Sequence, residues 1–131
     1  MTIRDFLKVD NFPEVELENF QLRHNKGTSI ALHDVVVPPS YFNEVLIFIS
    51  AKPGNFLIPK LNESWATGRH LGNATLKRKV AVGSKGLYRE RASYEFTNIL
   101  VTAFEYDGHL EDGAPRYRVT FGFASMSSRY F

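Results

Sequence analysis

Arg116-Tyr117-Arg118-Val119-Thr120-Phe121-Gly122-Phe123-Ala124 alternates large apolar side chains with small or polar ones. In an extended chain Tyr117, Val119, Phe121 and Phe123 fall on one face, and Arg116, Arg118, Thr120, Gly122 and Ala124 on the other. A period of two predicts a strand with one buried face. Upstream, Tyr94 to Tyr106 reads as one long strand, or as two joined by a bulge. Tyr94 and Phe96 run in phase with Leu100, Thr102, Phe104 and Tyr106, while Ile99, Val101 and Ala103 fill the second face. Two apolar faces predict a strand covered on both sides.

The same reading places strands at Ile3–Val9, Val15–Arg23, Ile30–Val37, Glu44–Ala51, Asn73–Val82 and Leu87–Ser93. Turn signals separate them at Asn11-Phe12-Pro13, Asn25-Lys26-Gly27, Pro38-Pro39, Pro53-Gly54, Gly83–Gly86, Asp107-Gly108 and Asp112-Gly113. Short strands at this spacing predict a barrel or sandwich rather than alternating strands and helices. With no repeat, low-complexity tract or linker in the sequence, residues 1–131 are expected to form one domain.

One segment departs from the pattern. Between Asn55 and Gly68 the apolar residues Leu57, Leu61 and Trp65 recur at four-residue spacing, which makes one face of a helix. Pro59 suits the first turn, where its missing N–H costs nothing, and Gly68 suits a left-handed stop. A helix this short needs tertiary packing to persist. Its stripe is expected to lie across an open end or one face of the barrel.

Composition narrows the function. The 131 residues include 11 Phe, 6 Tyr and 1 Trp, ample for a core, and no Cys. Disulfides, thiolate nucleophiles and cysteine-held zinc are therefore excluded. The four histidines at 24, 33, 70 and 109 are never three or four apart, and no serine sits in a GxSxG turn. There is no phosphate-binding glycine motif, HExxH or calcium loop, so no enzyme, metal or cofactor is expected. Paired-acid catalysis is left with carboxylates that lie mostly in turns, where solvation explains them. No run approaches the length of a membrane span, and the first residues lack a signal-peptide layout, so no membrane insertion is expected. The triplets Asn62-Glu63-Ser64 and Asn73-Ala74-Thr75 are read as chance matches to a glycosylation signal.

Net charge is +2, from 16 basic and 14 acidic residues, but its distribution is uneven. Lys77, Lys79, Arg89 and Arg91 fall in a basic stretch, and Glu105, Asp107, Glu111 and Asp112 in an acidic one. Such segments can pair internally or attract a second copy. On a regular strand Lys77 and Lys79 share one face, Arg78 takes the other, and Arg89 and Arg91 share a face. A basic hairpin over 75–91 with tyrosines nearby is also a candidate for tracking a nucleic-acid backbone. Near-neutral total charge and the lack of a recognition motif speak against nucleic acid.

From Leu57 onward the order of motifs resembles the haemolysin-coregulated protein (Hcp) family, the tube subunits of bacterial type VI secretion systems. Ile58-Pro59-Lys60-Leu61 opens the helix and Ala66-Thr67-Gly68-Arg69-His70-Leu71 closes it, similar to the family's "SP.L" and "ATGK.I". Asn73–Lys79, Tyr94–Ala103 and Tyr117–Ala124 with Tyr130 follow, similar to the strands that come next in the family. Phe6-Leu7-Lys8-Val9-Asp10 fits the family's first strand loosely.

The resemblance implies a mostly β fold: a small closed antiparallel β-barrel with one short α-helix. It implies homo-hexameric rings that stack into a hollow tube, with sheath, spike and baseplate proteins as partners and small effectors in the lumen. Cytoplasmic assembly followed by secretion without a signal peptide would go with it. His24, Asn25, Lys26 and Gly27 are the candidates for reaching the next ring, and the two charged segments for setting register between copies. Alternatives are a phage-type tail tube subunit and a stand-alone barrel that binds a small ligand or nucleic acid.

Overall fold

A computed structural model describes residues 2–24, 42–52, 55–83 and 86–131. The strand expected at Ile30–Val37 and the candidates Asn25, Lys26 and Gly27 lie outside these residues. The elements are β1 (Ile3–Val9), β2 (Val15–Leu17), β3 (Asn19–Arg23), β4 (Glu44–Ser50), α1 (Leu57–Thr67), β5 (Ala74–Val82), β6 (Leu87–Thr97), β7 (Leu100–His109), β8 (Pro115–Gly122) and β9 (Ser125–Tyr130).

Two antiparallel sheets result, one ordered β2-β1-β5-β6-β9 and the other β3-β4-β8-β7. Three strand pairs that adjoin in sequence, β2/β3, β6/β7 and β8/β9, bend from one sheet into the other. At one corner the Ala124 N–H donates to the Thr97 carbonyl at 2.8 Å, so β6/β7 and β8/β9 stay side by side through the bend. At the other the Glu18 N–H donates to the Phe48 carbonyl at 2.8 Å. Counting each bent strand once, the ladders run β2/β3, β1, β5, β6/β7, β8/β9, β4 and back to β2/β3. Among the described residues the expected mostly β architecture with one helix is present, and its ladders return on themselves as a small antiparallel barrel does.

The long strand read from Tyr94 to Tyr106 is two strands joined by an irregularity at Asn98-Ile99. Its two apolar faces have a different origin from the one expected. Asn98 adopts a left-handed conformation (φ 52°). That residue switches the phase, so Phe96 before it and Ile99 and Val101 after it all point into one core. Tyr94 and Phe96 therefore do not continue in phase with Leu100 and Thr102, because period-two counting cannot cross a left-handed residue. The tail after Ala124 also differs. Ser125, Ser127 and Ser128 belong to a further strand, β9, which pairs with β6.

The core contains Leu7, Val9, Val45, Ile47, Ile49, Leu76, Phe96, Ile99, Val119 and Phe121. Phe96 stacks edge-on to Phe121 at 5.5 Å between ring centres. α1 contributes Leu57, Ile58 and Leu61. Each of these, fully buried, stabilises by roughly 1.5–3 kcal/mol before entropy.

The helix stripe is shifted from the expected one. Trp65 is 49% exposed, and Ser64 occupies the inward position instead. Ser64 Oγ donates to the Arg69 carbonyl at 2.7 Å and accepts the Val101 N–H at 3.2 Å. A small hydroxyl can make both bonds between the helix end and β7, which an indole cannot. Gly68 (φ 72°) then ends the helix as expected, its N–H returning to the Ser64 carbonyl at 2.9 Å.

Candidate assembly surfaces

The basic stretch forms the β5–β6 hairpin, whose pairing is interrupted by a bulge. Arg78 faces Ala92 and Lys79 faces Glu90, which leaves Arg91 as the extra residue. Lys77 and Lys79 remain on one face of β5 as expected. Arg89 and Arg91 do not share a face through regular alternation, because the bulge resets the phase between them.

The cations are partly engaged already. Lys77 Nζ lies 3.1 Å from Glu90 Oε1, and Lys79 Nζ lies 4.6 Å from the centre of the Phe6 ring. Arg91 donates to the Phe131 carbonyl at 3.2 Å. Arg89 is exposed and, among the described residues, has no carboxylate within ion-pair distance. A continuous phosphate-tracking stripe would need these charges free and aligned.

The acidic segment divides into two parts. Glu105 and Asp107 lie on β7 and pair with Arg118 and Arg116 of β8, the latter at 3.3 Å. The Glu105 carboxylate holds the Arg118 guanidinium above its ordinary pKa through a direct hydrogen bond and its charge. Glu111 and Asp112 lie on the exposed turn between β7 and β8. Asp112 accepts the Ala114 N–H at 2.9 Å. The two acidic residues nearest β8 are thus satisfied within the fold, and the turn presents the other two to solvent. His24 sits just past β3 and is partly buried.

Beneath the hairpin, Arg78 donates to Asp5 at 2.8 and 3.1 Å. Hydrogen bonding to Asp5 raises the Arg78 pKa, against the opposing effect of burial. Its guanidinium also lies 4.8 Å from the centre of the Phe20 ring. Tyr94 stands edge-on to both Phe20 and Tyr130. Burial, helped by the hydrogen bond and charge of Tyr130, pushes the Tyr94 hydroxyl up to about 12. These polar and aromatic groups close the core at that end. Nearby on the outer face, Arg4 makes a two-pronged contact with Glu16 at 2.6 and 2.9 Å, and that hydrogen bond lowers the Glu16 pKa.

The outer face of the five-stranded sheet carries a groove of about 560 Å³. Its lining includes Lys8, Glu14, Lys77, Glu90, Glu95 and Arg129, interleaved in sign. Such a surface suits a polar partner rather than an apolar ligand. Among the described residues no group of three metal-ligating side chains comes together. No described helix is long and apolar enough to cross a membrane.

Neither a scan against family models nor a search of curated proteins finds a match. Solved structures do match, over nearly the whole chain. Hcp1 from Salmonella typhimurium superposes with a TM-score of 0.71 at 22% identity, covering 100% of this chain and 87% of that one. The chain has the Hcp fold. Hcp2 from the same organism gives a TM-score of 0.67 at 17% identity, covering 98% and 86% of the two chains. A structure described as a type VI secretion system effector from Yersinia pestis gives 0.65 at 18% identity, covering 96% and 88%. The resemblance read from motif order is borne out at the level of the fold. In this chain the helix, which anchored that reading, packs against β7 and is tied to it through Ser64.

Sequence reasoning missed a set of exposed apolar residues: Ile3, Val82, Leu87, Tyr106 and Tyr130. Their signal was present as apolar phase continuing to the strand ends. Alternation alone cannot say where the opposite sheet stops.

Proposed function

We propose that this chain is a structural subunit of a type VI secretion inner tube. In this reading residues 1–131 act as one domain, six copies close a ring, and rings stack into a hollow conduit that a contractile sheath drives outward. The observation that carries it is the Hcp fold spanning the full chain at a TM-score of 0.71. The role is mechanical rather than catalytic, and no cofactor is required.

A ring closed by rotation needs two different surfaces on each copy, and a tube needs a further contact between ring faces. His24, Asn25, Lys26 and Gly27 are assigned to that stacking contact. Lys77, Lys79, Arg89 and Arg91, with Glu105, Asp107, Glu111 and Asp112, are assigned to register between copies. Sheath, spike and baseplate proteins are the machine partners, small effectors travel in the lumen, and assembly precedes secretion without a signal peptide.

Light scattering of the purified chain, combined with electron microscopy, tests this directly. The expected result is a mass near six subunits and hollow rings in projection. A chain that remains monomeric across its soluble concentration range overturns the proposal.

A further inference from the structure

The core-facing side of the five-stranded sheet continues beyond the end of the core. Leu7 and Leu76 face each other at full burial. Two residues further along both strands, Asp5 and Arg78 close the core with their ion pair. Beyond that layer, the same face carries Ile3 opposite Val80, and Val82 opposite Leu87. Leu87 is 63% exposed, and Ile3 and Val82 are also open to solvent. Side chains on the core side of a sheet, out of reach of their own second sheet, form an apolar strip that water covers unless another surface does. Arg89 shares this face, opposite Val80, and Arg91 stands at the bulge beside it.

The four-stranded sheet overhangs in the same way. Val119 and Phe121 are fully buried, and the same face of β8 leads to Tyr117, opposite Tyr106 of β7. Tyr106 is 66% exposed and stands edge-on to Tyr117 at 6.1 Å. The turn that follows carries Glu111 and Asp112. One overhang is thus aliphatic with arginines at its rim, and the other is aromatic with carboxylates at its rim.

We infer that the β5–β6 overhang of one copy docks on the β7–β8 overhang of a second copy, Leu87 packing on Tyr106 and Arg89 facing Glu111 and Asp112. The contact is head-to-tail, since each copy offers one overhang of each kind. Apolar centres supply affinity, and the opposed rims fix orientation and reject a like-to-like approach. This inference rests on the ring reading and gives it a specific contact.

Because the chain has no cysteine, disulfide trapping tests it cleanly. Oxidising Leu87→Cys/Tyr106→Cys is expected to give a ladder of covalently joined copies on a non-reducing gel. Each single variant is expected to stay at monomer mass. Dimers from Leu87→Cys alone, or no ladder from the double variant, overturn the inference.

A charge swap separates it from the ring reading. Arg89→Glu/Arg91→Glu and, separately, Glu111→Arg/Asp112→Arg are each expected to lose the large species in sedimentation, and an equal mixture to regain it. Wild type that assembles while both variants assemble equally well overturns the docking and leaves the ring reading standing. Wild type that never assembles overturns both.

Discussion

The hydroxyl of Ser64 accepts the backbone N–H of Val101 at 3.2 Å and ties the only described helix to the edge strand β7. The same oxygen donates to the Arg69 carbonyl at 2.7 Å, so one buried atom satisfies a strand donor and the loop after the helix. Ser64→Ala leaves the buried Val101 N–H unpaired and removes the bond to the Arg69 carbonyl. A loss of about 1–3 kcal/mol is expected. Urea denaturation of the variant against wild type measures it, and an unchanged midpoint contradicts the assignment.

Asp5 and Arg78 close the core below the overhang, with Asp5 only 5% exposed. Asp5→Ala leaves Arg78 without its partner, next to Phe20 and Tyr94. Losing one member of a buried pair costs about 3–5 kcal/mol, and the partial exposure of Arg78 reduces this to roughly 1–3 kcal/mol. The destabilisation should persist at high salt, unlike that of a surface pair. Thermal unfolding of D5A at two salt concentrations reads both effects.

Tyr94 gives the barrel an alkaline limit. Its folded pKa is raised from 10.0 to about 12. A group with a raised folded pKa contributes stability that is complete below the unfolded value and is lost as pH rises through the folded one. Wild type should therefore lose stability between about pH 10 and 12 more steeply than Tyr94→Phe. Denaturant midpoints across that range, with phenolate absorbance followed alongside, test the sign. Equal slopes in the two proteins refute it.

Glu16 supplies the acid counterpart. Its hydrogen bond from Arg4 lowers its pKa below the usual 4.5. The pair's contribution is present above 4.5 and disappears as pH falls through the lower folded value. Because both side chains are well exposed, the expected effect is small, about 0.2–1 kcal/mol. Glu16→Gln should lower stability at neutral pH and converge with wild type in acid, as unfolding curves at the two pH values would show.

Asn98 sits at the bend where β6 becomes β7, with a left-handed backbone (φ 52°). Asn98→Val should cost about 1–2 kcal/mol, because a β-branched residue opposes that conformation, while Asn98→Gly should fold with little loss. Comparing the two variants separates backbone strain from loss of the asparagine side chain. Equal stabilities would exclude strain as the cause.

Local reading found most strands, because a half-buried strand writes its period into the residues themselves. Tyr117, Val119, Phe121 and Phe123 show it in β8, and the helix announced its ends through Pro59 and Gly68. Its inward face was misjudged by one position. Four-residue spacing favoured Trp65, whereas the bonds available to Ser64 from Arg69 and Val101 decided the rotation. Those partners lie 5 and 37 residues away in sequence, and nothing near Ser64 predicts them.

By itself, the sequence determined a cysteine-free, strand-rich chain with one short helix and two segments of opposite charge. Motif order pointed to the Hcp fold that the structure has. Only the tertiary structure decided where alternation reverses, at Asn98, and which charges are consumed internally, as Glu105 and Asp107 are by Arg118 and Arg116. It also decided that Leu87 and Tyr106, written in the same alternating code as the core, lie beyond the opposite sheet. The physical reason is common to all three: hydrophobic phase is a property of one strand, whereas burial and ion pairing need a partner surface that folding alone supplies.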